Sequence, residues 1–157
     1  MTNILFICHG NICRSPMAEY VMKQLVKERK LSHFFLIASA AVSREEIGNP
    51  VYPPARHVLR QHGIPCNHHT AVQMTQKDYF RYDYLVGMDA SNLRGMRRIA
   101  GGDPEQKLSL LLDYTGHPRD VADPWYSGDF ETAYQDIEDG CRALLQHILS
   151  DNNTHKP

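Results

Sequence analysis

The feature that most narrows the fold is the opening of the chain. There an uninterrupted apolar run, residues 3–8 (NILFIC), meets a short polar loop and then a helical pattern. A run that short and that apolar suits a strand buried on both faces. After the loop, Ala18, Val21, Met22, Leu25 and Val26 recur at helical spacing, with Lys23, Lys27, Glu28 and Arg29 on the other side. Residues 15–30 therefore read as an amphipathic helix, with Ser15 at its N-cap and Pro16 at its first position. A second apolar run, 34–40, completes a strand–helix–strand unit, whose two strands must lie parallel in one sheet.

The alternation continues. Helices are expected over 55–62, 77–82 (capped by Thr75) and 91–99, the last stopped by Gly101 and Gly102. Apolar runs at 84–88 and 107–112 supply further strands. Residues 43–54 and 113–128, rich in proline, glycine and aspartate, read as loops. A last helix places Tyr134, Ile137, Cys141, Leu144, Leu145 and Ile148 on one face, and a polar tail follows over 151–157. The expected fold is a single α/β domain over 1–150, a parallel sheet with helices on both faces. Ligands bind such sheets at the carboxyl ends of the strands, where the loop after the first strand lies.

The formal net charge of −1 gives no reason to expect nucleic acid or an anionic membrane as partner. No run is long enough to span a bilayer, and the N-terminus lacks the marks of a signal peptide. Four cysteines, at 8, 13, 66 and 141, are too few for a disulfide scaffold. A cytoplasmic protein with reduced thiols is the expectation.

The loop itself, CHGNICRSP, carries the chemistry. Between a strand and a helix N-terminus, backbone N–H groups converge on a common centre that favours an anion. Gly10 is expected at positive φ, and Asn11 is the residue type that next best tolerates it. Arg14 adds a planar fork for two phosphate oxygens. The phosphate cradle is thus His9, Gly10, Asn11, Ile12, Cys13, Arg14 and Ser15. Cys8, at its rim and beside Arg14, is placed where a thiolate is favoured, and such a thiolate is a nucleophile aimed at phosphorus. Ser15 is positioned to donate a hydrogen bond to its sulfur.

CHGNICRSP resembles the signature loop of the low-molecular-weight protein tyrosine phosphatases, and DPWY at 123–126 resembles that family's second motif. SA at 39–40, IGNP at 47–50, HGI at 62–64, DY at 83–84 and MDASNL at 88–93 extend the likeness over about residues 4–148. The resemblance implies four parallel twisted strands and phosphomonoester hydrolysis without a metal or other cofactor. Phosphotyrosine proteins or peptides would be the substrates and inorganic phosphate the product.

Ester cleavage needs a proton for the leaving oxygen, and nothing in the cradle offers one. Asp123, stiffened by Pro124, is the candidate, and the resemblance makes it the general acid and then the base. Asp113, Asp120 and Asp129 are the alternatives. Trp125 and Tyr126 would wall the pocket. The resemblance also implies a brace for the loop: Asn11 and Ser15 joined to Ser39 and His69, with His69 held by Asp89. A metal site from His57, His62, His68 and His69 is not supported by their spacing. Cys13 reads as a small buried residue and as a thiol that forms a disulfide with an oxidised Cys8; both readings can hold, and the family supports the second.

Two residues depart from the family pattern. Glu45 stands where relatives often carry an aromatic side chain facing the pocket, and His9 replaces a small or apolar residue beside Cys8. Three rival functions share the loop. An arsenate reductase would need further redox cysteines, and Cys66 and Cys141 have none beside them. An arginine phosphatase has threonine where this chain has Ile12. A module that only binds phosphate would need neither Cys8 nor Asp123.

Overall fold

Period-two alternation in the first strand builds both layers of the core. The computed structural model describes residues 1–154, and in it β1 (Thr2–Cys8) sends Ile4, Phe6 and Cys8 to one face of the sheet. Leu5 and Ile7 point to the other face. The first set packs with α1 (Arg14–Glu28) and α6 (Phe130–Thr154), through Met17, Val21, Met22, Leu144 and Ile148. The second meets Tyr79 of α3 (Gln76–Arg81) and Met96 of α4 (Ala90–Ala100). All five strand side chains from Ile4 to Cys8 are buried, which is why that stretch of sequence carries no polar residue.

The sheet is parallel throughout, in the order β2–β1–β3–β4. Its other strands are β2 (Phe35–Ala41), β3 (Tyr84–Gly87) and β4 (Leu108–Leu110). The second strand in sequence goes to one side of β1 and the third to the other, so the strand order switches between β1 and β3. The loops leaving those two strands diverge there and open a crevice.

Most expected elements appear within a residue or two of their places, including α2 (Pro53–Gln61), the Thr75 cap of α3 and the left-handed Gly101 that ends α4. Three differ. The run 107–112 gives only three strand residues before turning into a 3-10 helix, Leu111–Tyr114, whose Leu111 and Leu112 are buried against α6. The long loop 113–128 contains a four-residue helix, α5 (Pro124–Ser127), capped by Asp123. The final helix continues through Thr154, so the expected tail begins inside it and residues 155–157 lie outside those described. No helix among the described residues is long and apolar enough to cross a membrane.

Candidate active site

β1 ends at Cys8 and α1 begins at Arg14, so the loop must reverse direction within five residues. The residue that makes this possible is Asn11, at φ 60°. Gly10 does not take a left-handed φ, contrary to expectation. Its lack of a side chain serves close approach: a Cβ there would sit 3.3 Å from Cγ of Glu46.

A chain of hydrogen bonds with a single consistent direction holds the strained Asn11. The Asn11 amide donates through Nδ2 to Ser15 Oγ at 2.8 Å and to Ser39 Oγ at 2.9 Å. Its Oδ1 accepts from Val72 N–H at 3.1 Å. Ser39 gives its only hydroxyl proton to Glu19 Oε1 at 2.6 Å, so it can only accept from Asn11. Ser15, also an acceptor from Asn11, has its own proton free for Cys8 Sγ at 3.0 Å, and the alternative acceptor, Ala40 O, is farther at 3.5 Å. The Asn11 N–H adds a second donor to the sulfur at 3.3 Å. The sulfur thus sits between two donors.

Two expectations are corrected here. Ser15 is not the N-cap: Cys13 holds that position and Ser15 lies inside the first turn, which frees its hydroxyl for the sulfur. Asp89 does not hold His69. Its Oδ2 accepts from Arg14 NH1 at 2.8 Å and its Oδ1 accepts from Asn92 N–H to cap α4, so both oxygens are engaged. His69 instead donates from Nε2 to the Asn11 carbonyl at 2.7 Å, which bonds the loop backbone directly and fixes the ring's tautomer.

Arg14 is 2% exposed. Asp89 and the Val121 carbonyl, each 2.8 Å from NH1, aim the guanidinium, and NH2 lies 3.4 Å from Asp123 Oδ2. Burial alone would pull its pKa down. The charges of Cys8 and Asp123 and the hydrogen bond to Asp89 outweigh that and hold it above its ordinary value. The cation is therefore permanent. Asp123 accepts from Trp125 N–H through Oδ1, leaving Oδ2 toward Arg14 and the pocket. Of the four candidate acids only Asp123 lines the pocket. Asp120 accepts from Ala90 N–H, Asp129 is bound to Thr132, and Asp113 to Leu110 N–H.

The pocket, about 360 Å³, has Cys8 and Arg14 in its lining, together with Ile12, Asp123, Trp125 and Tyr126 and with His9, Glu45 and Glu46. Trp125 leans on Tyr52 with ring centroids 4.8 Å apart, and Tyr52 in turn packs on Phe130. The two residues expected to depart from the family pattern meet: His9 Nε2 and Glu45 Oε2 are 3.1 Å apart at the exposed rim. Cys13 is buried, and burial, followed by the neighbouring Cys8, pushes its thiol up to about 12. Burial also raises Cys66 and Cys141.

Sequence reasoning missed Glu19, Asn92, Glu46 and Tyr52. Glu19 carried a signal, since it follows Ser15 by one helical turn and is a carboxylate on the apolar face. Among the described residues no group of three His, Cys, Asp or Glu is arranged to hold a metal ion.

Residues 3–154 match the model of the family described as low molecular weight phosphotyrosine protein phosphatase. The chain is 38% identical over 150 residues to the low molecular weight protein-tyrosine-phosphatase YfkJ of Bacillus subtilis, covering 94% of this chain and 96% of that one. It is 40% identical over 149 residues to the human low molecular weight phosphotyrosine protein phosphatase, covering 92% and 94%. The crystal structure of YfkJ superposes with a TM-score of 0.92 over 96% of each chain. That of a Drosophila arginine phosphatase does so at 0.85, with 33% identity, over 94% of this chain and 98% of that one.

Proposed function

The chain belongs to the low molecular weight phosphotyrosine protein phosphatase family, and from that premise we propose that it hydrolyses phosphotyrosine in proteins or peptides through a cysteinyl-phosphate. The observation that carries this reading is the sulfur of Cys8 in the lining of the pocket, held by Ser15 O–H at 3.0 Å and Asn11 N–H at 3.3 Å, with Arg14 in the same lining.

The Cys8 thiolate attacks phosphorus as the bond to the phenolic oxygen breaks, and Asp123 gives its proton to that oxygen. Arg14 and the loop N–H groups take up the charge of the equatorial oxygens. Asp123, now a carboxylate, removes a proton from water, which attacks the cysteinyl-phosphate. The sulfur leaves as a thiolate received by Ser15, and inorganic phosphate departs. Trp125, backed by Tyr52, offers a wall for the aryl ring. Cys13, in the same lining as Cys8, is proposed to close a disulfide on an oxidised Cys8. A cytoplasmic location is part of the same proposal, supported by four free, buried thiols.

Ile12 supports phosphotyrosine over phosphoarginine. It lines the pocket with an apolar side chain that offers no acceptor to a guanidinium leaving group. Turnover on phosphotyrosine, phosphoserine and phosphoarginine peptides tests the proposal, with Cys8→Ser as control. Phosphotyrosine is expected to be preferred and the variant inactive. Undiminished turnover in Cys8→Ser would remove the mechanism, and a preference for phosphoarginine would replace the substrate.

A further inference from the structure

Beside the catalytic pocket lies a second cleft, about 250 Å³, between α4 and the segment that follows β2. His9 lines both cavities, and its carbonyl accepts from Ser43 N–H at 3.0 Å, so one loop residue forms the partition. The far wall is α4. It comes unusually close because Gly95 has no side chain: a Cβ there would lie 2.3 Å from Cγ1 of Val42. That approach sets the residues flanking Gly95 along the cleft, and two of them are Arg94 and Arg98, one helical turn apart.

Both arginines are exposed, and neither has an ion-pair or hydrogen-bond partner among the described residues. This sets them apart from Arg14, Arg119 and Arg142, each of which is matched to a carboxylate. Among the described residues no carboxylate lines the cleft. Its other polar groups are the His9 imidazole and the hydroxyls and amide of Ser43, Ser91 and Asn92. Two guanidinium forks and two hydroxyls in the lining of one cleft are the donor set of a receptor for an oxyanion.

We propose that this cleft is an anion subsite for the substrate itself, taking a second phosphate or a carboxylate near the phosphotyrosine held over Cys8. The inference rests on the phosphotyrosine reading and adds a rule of sequence preference to it. It also gives the His9–Glu45 pair a place in selection. His9 stands between the two anion positions, while Glu45 and Glu46 line only the catalytic pocket. Peptide chain leaving the pocket toward Glu45 meets negative charge, and chain leaving toward α4 meets positive charge.

The test compares kcat/KM for three sets of phosphotyrosine peptides of one framework. A nearby residue on either side is in turn glutamine, glutamate or a second phosphotyrosine. Para-nitrophenyl phosphate, too small to reach the cleft, reports the basal chemistry. The anionic peptides are expected to exceed the neutral ones by about five- to tenfold, mainly through KM, and to lose most of that gain at high salt. Arg94→Gln combined with Arg98→Gln should bring the ratio to near one while leaving para-nitrophenyl phosphate turnover unchanged. A gain from phosphate but not glutamate would still support the subsite and restrict it to phosphate. A ratio near one in the unmodified protein, or one that survives in the double variant, overturns it. Loss of para-nitrophenyl phosphate turnover in the unmodified protein would strike the phosphatase reading, and so is separable.

Discussion

At the scale of single residues, the site is a matter of where protons point. Ser39 spends its proton on Glu19, Asn11 spends both amide protons on serines, and the proton of Ser15 is left for the sulfur. The acid lies outside that chain. Replacing Asp123 by alanine is expected to lower kcat/KM, which reports the step that expels the leaving group, by about 10²–10⁴ for phenyl phosphate and far less for para-nitrophenyl phosphate, whose leaving group needs little protonation. Equal losses on the two substrates would assign the proton to another group. Cys13 supports a second prediction. Its thiol is raised to about 12, chiefly by burial, a cause that persists once Cys8 has been oxidised. Only the thiolate attacks a sulfenic acid, and its fraction grows about tenfold per pH unit below the pKa. Disulfide closure after brief peroxide treatment, timed against a sulfenic-acid trap, should therefore accelerate as pH rises from 6 to 9. A closure rate flat in pH would mean that Cys13 is not the attacking thiol.

Individual elements were legible wherever a local pattern had length. β1 shows as an unbroken apolar run because both faces are covered, and α1 as a stripe because only one is. The helix α5 was not legible, since four residues carry no period and its only local mark is the Asp–Pro start. The partner of Asp89, expected to be His69 and found to be Arg14, was misassigned for a different reason. The Asp89 contact spans 75 positions, and no local signal says which of several buried polar groups an aspartate will meet. Helix packing offers a paired test. In α6, a Cβ on Gly140 would lie 2.5 Å from Cγ of the fully buried Leu111, while in α4 one on Gly95 would strike Val42. Alanine gains about 1 kcal/mol of helix propensity at either site and loses about 1–3 kcal/mol or more to overpacking. Both variants should be less stable in urea. Only Gly95→Ala should also lower kcat/KM, because α4 carries the Asp89 cap that aims Arg14. Unaltered activity in Gly95→Ala would show that the cap tolerates displacement of its helix.

For the whole molecule, the catalytic loop is also a joint. Its hydrogen bonds tie β1 and α1 to β2 through Ser39, to the segment before α3 through Val72, to the cap of α4 through Asp89 and to the segment before α5 through Val121. An oxyanion in the cradle would therefore be felt as global stability, by mass action on the folded state alone. Phosphate at about a hundred times its dissociation constant contributes about 2.7 kcal/mol, or roughly 5–10 °C in Tm for a chain of 157 residues. Cys8→Ser removes the nucleophile and leaves Arg14 and the loop amides, so its Tm should still rise with phosphate. Arg14→Ala should behave in two ways at once. Its Tm should fall without phosphate, because the Val121 carbonyl and Asp89 lose their donor, and it should no longer respond to phosphate. Arg14→Lys separates those effects, since an ammonium can still neutralise Asp89 but cannot present a planar fork to two oxygens. Its basal Tm should recover further than its phosphate response. If Arg14→Ala kept the full phosphate shift, the anion would be bound by the backbone and helix N-terminus alone, and the guanidinium would be a structural strut rather than a ligand.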